Sequence, residues 1–179
     1  MNSFFGHLHT INQHKRLVMK GCFQVGLYKQ GLLHDLSKYS PTEFLVGVKY
    51  FQGDRSPNNA EREDKGVSLA WLHHKGRNKH HMEYWIDYSQ KKDGRMIGME
   101  MPTKYVVEMF IDRIAACKVY QKENYTDNSP LEYYKRGFDH YLIHPNTQAL
   151  LEEMLTMLAN KGEKETFLYI RKNILHNKK

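Results

Sequence analysis

The sequence predicts an all-α protein folded as one compact helical bundle, and three observations predict it. Apolar residues recur every three or four positions through most of the chain, the spacing of one buried helix face. Helix start and stop signals punctuate those runs, with Ser-Pro or Asn before them and glycine after them. The 179 residues suffice for one domain with a sizeable core, residues 1–179, without internal repeat or low-complexity segment.

Each element follows from local chemistry. A first helix is predicted from about Thr10 to Gln30, with Ile11, Val18, Cys22 and Val25 on one stripe. His14 shares that stripe, and Gly31 is the expected left-handed end. A short helical turn then carries His34, Asp35 and Lys38. Ser40-Pro41-Thr42-Glu43 reads as a capping box opening the helix of Phe44, Leu45, Val48 and Tyr50. Residues 52–59 form a loop, and a helix from about Ala60 to Lys75 follows. Its stripe holds Val67, Ala70, Trp71 and His74, with His73, Leu69 and Leu72 on the next one.

Gly76 and Arg77 break that helix, and Asn78 is placed to cap another from Lys79 to about Tyr88, with His80 and His81 in its first turn. Trp71, Tyr84 and Trp85 are expected in the core. Residues 90–101, with Asp93-Gly94 and Gly98, are turn-rich and compatible with a short hairpin. Pro102 opens a periodic helix to about Tyr120, with Tyr105, Met109, Asp112, Ala116 and Val119 inward. An aspartate in such a stripe costs several kcal/mol unless its charge is matched. Ser129-Pro130-Leu131-Glu132 repeats the capping-box pattern before a short helix to about Phe138. A helix opens at Asn146 or Thr147 and ends near Asn160, a last one runs from about Lys164 to Asn173, and Asn177 to Lys179 are expected to fray.

Composition narrows the function. No apolar run approaches the roughly 20 residues of a membrane span, and the N-terminus lacks the pattern of a signal peptide, which together predict a cytoplasmic protein. Cys22 and Cys117 lie far apart in apolar helices and read as buried free thiols. The net charge of +7, from 27 basic and 20 acidic side chains, suits a small anionic substrate or a simply soluble surface. The basic residues are dispersed, so no nucleic-acid groove is indicated. Oligomerisation is left open.

Eleven histidines are the informative excess, seven of them in three groups: His7, His9 and His14; His73 and His74; His80 and His81. In Leu32-Leu33-His34-Asp35-Leu36-Ser37-Lys38 a histidine and an aspartate sit together in apolar surroundings, where neither is readily buried without a partner. Both types ligate divalent first-row ions. With inward His14 and Asp112, a His/Asp set is spread over at least four helices.

The order His14, His34-Asp35, then Asp112 resembles the HD-domain superfamily of metal-dependent phosphohydrolases. His34-Asp35-Leu36-Ser37-Lys38 is similar to its core motif, and Ile111-Asp112-Arg113-Ile114-Ala115 to its late aspartate segment, over about residues 7–120, with C-terminal helices at about 129–176. More narrowly, His73-His74, Asn78-Lys79-His80-His81-Met82-Glu83-Tyr84-Trp85, Met101-Pro102 and Tyr105-Val106-Val107-Glu108-Met109 resemble an uncharacterised family of small bacterial and phage HD-like proteins.

The resemblance implies that His14, His34, Asp35 and Asp112 hold a divalent ion (Mn, Fe, Ni, Zn or Mg). A second ion, if present, would be bridged by Asp35 and held by His74, His80 and His81, with His73 as an alternate. His80 follows His74 by only six residues, a departure from the longer spacing of the binuclear enzymes. The activity implied is hydrolysis of a phosphate ester or nucleotide, with Lys38 stabilising charge and Glu83 or Glu108 as acid or base.

Blander readings stand beside these. His34-Asp35 could cap or ion-pair, His14 and Asp112 could share a hydrogen bond without metal, and one member of each histidine pair could only support the other. Lys38 could bind phosphate or pair with Asp35, and Lys75, Arg77 and Lys79 could attract an anion or be merely solvated. A di-iron oxygenase and a non-catalytic metal- or nucleotide-binding module are the competing functions.

Overall fold

A computed structural model describes residues 2–90 and 94–176. Among these, eight α-helices and one two-stranded antiparallel sheet form the structure, the all-α architecture expected. No helix is long and apolar enough to cross a membrane among the described residues.

Helix α1 (Ser3–Val25) begins where the Asn2 side chain accepts from Phe4 N–H and ends at Gly26, φ 90°. There Leu27 N–H reaches Cys22 C=O and Gly26 N–H reaches Phe23 C=O, a closure whose left-handed residue favours glycine. The first helix therefore stops earlier than expected. Gly31 is not its left-handed end but lies inside α2 (Tyr28–Leu33), buried against Cys22 and the Met19 backbone. The predicted stripe holds: Ile11, His14, Val18, Cys22 and Val25 are all buried.

A 3-10 turn, Leu36–Tyr39, leads to α3 (Pro41–Lys49). The expected capping box is not made. Ser40 makes no side-chain cap, and Glu43 turns inward to His73 and His74. Left-handed Gly66 divides the next expected helix into α4 (Pro57–Lys65) and α5 (Leu69–Lys75), leaving Val67, Leu69 and Leu72 exposed. The buried Glu61 carboxylate ties them by accepting from the Ser68 hydroxyl and Ala70 N–H.

Residues 79–88 are not the expected helix. His80 and His81 sit in a turn before a 3-10 segment, Met82–Trp85, and strand β1 (Ile86–Tyr88). Antiparallel β2 (Met96–Gly98) pairs with it, so a hairpin forms, but only its second strand falls within the 90–101 stretch expected to be turn-rich or a short hairpin; Asp93 lies outside the described residues. Tyr84 is exposed and Trp71 and Trp85 are half-buried, so none is fully in the core.

Helix α6 (Thr103–Gln121) packs against α1 and α8 and carries the largest share of the core, including Val106, Phe110, Ile111 and Ile114. Helix α7 (Ser129–Arg136) again lacks the expected box: Ser129 Oγ accepts from Thr126 N–H, and Glu132 accepts from Asn128. Helix α8 (Pro145–Tyr169) contains a kink at Gly162, φ 78° and ψ 171°, which separates the two C-terminal helices expected. It continues into a π-helical turn, Ile170–Leu175, and the terminal residues 177–179 lie outside the described structure. Cys22 and Cys117 are free and buried, as expected.

Candidate metal centre

The path of the chain at the dipeptide explains how the site is built. Asp35 is one of only two described non-glycine residues with positive φ, at φ 55° and ψ 27°. Aspartate tolerates this left-handed conformation better than most residues, at a cost of order 1–3 kcal/mol. Lys15 from α1 donates to the Leu32 and His34 carbonyls and so pins the loop. In consequence His34 and Asp35 both end up buried, at 1% and 2% exposure.

Two sets of donor atoms converge on Asp35. Its Oδ2 lies 3.3 Å from His34 Nε2 and 3.6 Å from His14 Nε2. Asp112 Oδ1 completes this first group, 2.9 Å from His14 Nε2 and 3.3 Å from His34 Nε2, and the two imidazole nitrogens are 3.4 Å apart. On the other side, Asp35 Oδ1 lies 3.4 Å from both His74 Nε2 and His80 Nε2, and His81 belongs to the same group. Donors each about 2.1 Å from one small ion sit roughly 3.0–3.4 Å apart, a spacing the first group comes close to throughout and the second matches from Asp35 to His74 and His80. The buried His/Asp groups could hold a metal ion.

The unsatisfied atoms point the same way. Asp35 Oδ1 and Oδ2, His80 Nε2 and His81 Nε2 are buried without a hydrogen-bond partner. Lys38 Nζ lies 2.6 Å from Asp35 Oδ2, an ion-pair distance without the alignment of a hydrogen bond. Buried polar atoms left unpaired cost several kcal/mol together, a cost that a cation between them removes.

The electrostatics favour positive charge at this spot. Burial disfavours the His34 imidazolium, yet Asp35, followed by hydrogen bonds to Asp112 and Glu108, holds its pKa well above the usual histidine range. Burial would raise Asp35 and Asp112, but His34 and Lys38 around the one, and His14 and His34 around the other, hold both well below the ordinary carboxylate range. His81 is pushed well below the ordinary range by burial, then by the charge of His80 and His74.

A supporting layer lies behind the inward-facing nitrogens. Glu108 Oε1 is 2.9 Å from His34 Nδ1 and 3.2 Å from His80 Nδ1. Glu43 Oε2 is 2.8 Å from His74 Nδ1, and its Oε1 is 2.7 Å from His73 Nδ1. Ser37 Oγ also lies 3.3 Å from His74 Nδ1, and Asn78 Nδ2 donates to Ser37 Oγ and to the His74 carbonyl. An ionised carboxylate only accepts, so it keeps hydrogen on Nδ1 and leaves Nε2 as the atom that would ligate once an ion displaced any proton there.

All seven expected metal residues therefore come together: His14, His34, Asp35, His74, His80, His81 and Asp112. His73 does not join them, since it faces Glu43 from the outer side. Of the two residues expected to do chemistry, Lys38 is at the cluster and paired with Asp35, its side chain 28% exposed. Glu83 is half-buried in the 3-10 segment, and among the described residues no hydrogen bond or ion pair links it to the cluster. Glu108 is behind His34 and His80 rather than facing the cluster interior. Glu43 was hidden by its capping-box pattern; Glu108 had a signal, since it precedes Asp112 by one helical turn on the same face.

An open cleft of about 550 Å³ between Val25, Tyr28, Lys104 and Arg171 contains none of these residues. The cluster is defined by buried chemistry rather than by that surface cleft. Solvent reaches it from the Asp112 and Lys38 side, where those side chains are 16% and 28% exposed.

Comparison with protein families matches residues 3–157 to a Family of unknown function, DUF5662. No curated protein and no solved structure matches the chain.

Proposed function

The chain belongs to the DUF5662 family, whose function is unknown, and from the chemistry of its cluster we propose that it is a metal-dependent hydrolase of phosphate esters or nucleotides. The observation that carries this reading is the placement of Asp35, whose two buried oxygens diverge toward two groups of Nε2 atoms without an aligned donor of their own. His14, His34, Asp35 and Asp112 would hold one divalent ion; Asp35, His74, His80 and His81 would hold a second. Imidazoles with carboxylates suit Mn, Fe, Ni or Zn, and Mg less well. The order of these residues along the chain, similar to that of HD-domain phosphohydrolases, supports the same reading.

Bound divalent ions would supply a hydroxide nucleophile near neutral pH and neutralise charge on phosphoryl oxygens. The chain's own residues prepare the place. Glu108 and Glu43 orient three imidazoles through Nδ1 and leave each Nε2 directed inward. Lys38, already beside Asp35 on the solvent-reachable side, presents its ammonium where an incoming phosphate would meet the cluster. Its pKa is raised, because Asp35 and Asp112 outweigh its burial, so it remains charged at neutral pH.

The test is a phosphatase and phosphodiesterase panel on protein loaded with Mn²⁺, Fe²⁺ or Ni²⁺, alongside Asp35→Ala. Turnover of at least one phosphate ester, lost in the variant, is expected. Metal-loaded protein silent across the panel would instead make it a binding module, and turnover requiring iron and oxygen would make it an oxygenase.

A further inference from the structure

We propose that Glu108 is a positioning residue shared by both ion groups, so that loading one prepares the other; this rests on the two-ion reading above. A single oxygen, Oε1, stands 2.9 Å from His34 Nδ1 and 3.2 Å from His80 Nδ1. His34 belongs to the group with His14 and Asp112, and His80 to the group with His74 and His81. The two rings lie 4.4 Å apart between centroids, tilted by 34°. Glu108 therefore holds both rings from behind, while Asp35 faces the Nε2 atoms of both.

The consequence follows from hydrogen-bond bookkeeping. A carboxylate oxygen can accept two N–H bonds, one along each lone-pair direction. Both rings thereby keep hydrogen on Nδ1 and turn Nε2 toward the ion position, where displacement of any Nε2 proton would give the form that ligates. With an ion held at Nε2, the His34 Nδ1–H would be a stronger donor and would anchor Glu108 more firmly. Glu108 is then already in place for His80, whose ring needs no further ordering. Glu43 supplies the contrast, because its contacts reach His74 and His73 but no member of the first group. The position of Glu108 makes this arrangement durable: it is 5% exposed on α6, one turn before Asp112, so the helix carries a ligand and the shared support on one face.

The three side chains His34, His80 and Glu108 also have the spacing of a small donor group by themselves. The shared-support reading differs from an ion site there in the number of ions bound.

The experiment is titration with Co²⁺ alone, followed by calorimetry and visible absorption, on the full chain and on Glu108→Gln, Glu108→Ala and Glu43→Gln. Wild type is expected to take up two ions with the second step no weaker than the first. Glu108→Gln, which keeps shape but lowers basicity, is expected to weaken both steps about 10-fold, and Glu108→Ala up to about 100-fold. Glu43→Gln is expected to weaken one step only. Independently of any variant, the ¹⁵N spectrum of Zn²⁺-loaded wild type is expected to show hydrogen on Nδ1 of both His34 and His80.

Weakening of a single step by Glu108→Gln, an unchanged titration, a third ion lost in that variant, or an Nε2–H tautomer at either ring would overturn the shared role while leaving the metal centre standing. A wild-type chain that takes up no ion would instead overturn the functional reading and this inference with it.

Discussion

His14 Nε2 and Asp112 Oδ1 lie 2.9 Å apart, joining the first helix of the chain to the sixth. Each residue occupies the inward stripe of its helix, and α1 packs directly on α6. A polar pair placed this way belongs to the packing of two long helices, yet it opens onto Asp35 and His34 rather than closing on itself. Its neighbours therefore determine what each substitution should do.

Asp35→Ala should abolish loading of both ions, because both groups share that carboxylate. His14→Ala should reduce the first directly and the second only through the shared support of Glu108. Elemental analysis of purified protein measures this, and full metal content in Asp35→Ala would exclude the site as described.

Chelation should destabilise the fold. An ion present at about 1,000 times its Kd contributes about 4 kcal/mol, which for a chain of this size is roughly 8–16 °C in Tm. Calorimetric scans with and without chelator measure the shift. Equal melting curves from metal-loaded and stripped protein would contradict the coupling.

Lys38→Met should retain both ions and lose about 10²–10³-fold in kcat/KM on whichever phosphate ester is turned over. Unchanged kinetics would restrict Lys38 to its ion pair with Asp35.

Away from the cluster, His7 packs between Phe44 and Phe51 and over Gly47, with Nδ1 unpaired. Burial, with a smaller contribution from Lys38, lowers its pKa to about 4. The unfolded chain therefore binds a proton here at higher pH than the folded one does. The stabilising effect is complete above about pH 6.5 and is lost as pH falls through about 4. His7→Phe should flatten that part of the acid limb, by at most about 3 kcal/mol. Urea unfolding of both proteins across pH 4–6.5, with chelator present, gives the difference; parallel curves would argue against a buried neutral His7.

Gly162 has a backbone conformation, φ 78° and ψ 171°, open essentially to glycine alone. Gly162→Ala should cost about 1–3 kcal/mol in chemical denaturation without altering metal uptake, since the kink lies in α8 and outside the donor groups.

How much of this was legible beforehand differs from residue to residue. The α1 stripe was readable because helical periodicity is a local property, and His14 stood on it among apolar neighbours. The breaks were harder to read. Gly26 rather than Gly31 ends α1, because which glycine becomes left-handed depends on what packs around each. Glu43 looked like half of a capping box because its neighbours fit that local pattern, but two buried imidazoles on α5 compete more strongly for its carboxylate. His80 and His81 were placed on a helix by a plausible cap, whereas the chain there forms a turn and then a hairpin.

By itself, then, the sequence determined the helical class, the inward stripe of α1, and the residues chemically able to ligate; on α6 only Met109 and Val119 of the expected stripe are buried, and Tyr105, Asp112 and Ala116 are half-buried. Tertiary structure alone decided that six of them meet around Asp35, that Glu83 does not, and that Glu43 and Glu108 stand behind the rings. The reason is physical. Periodicity and capping act within a turn or two of helix, while the direction of a buried donor atom is set by side chains far away in sequence that compete for it.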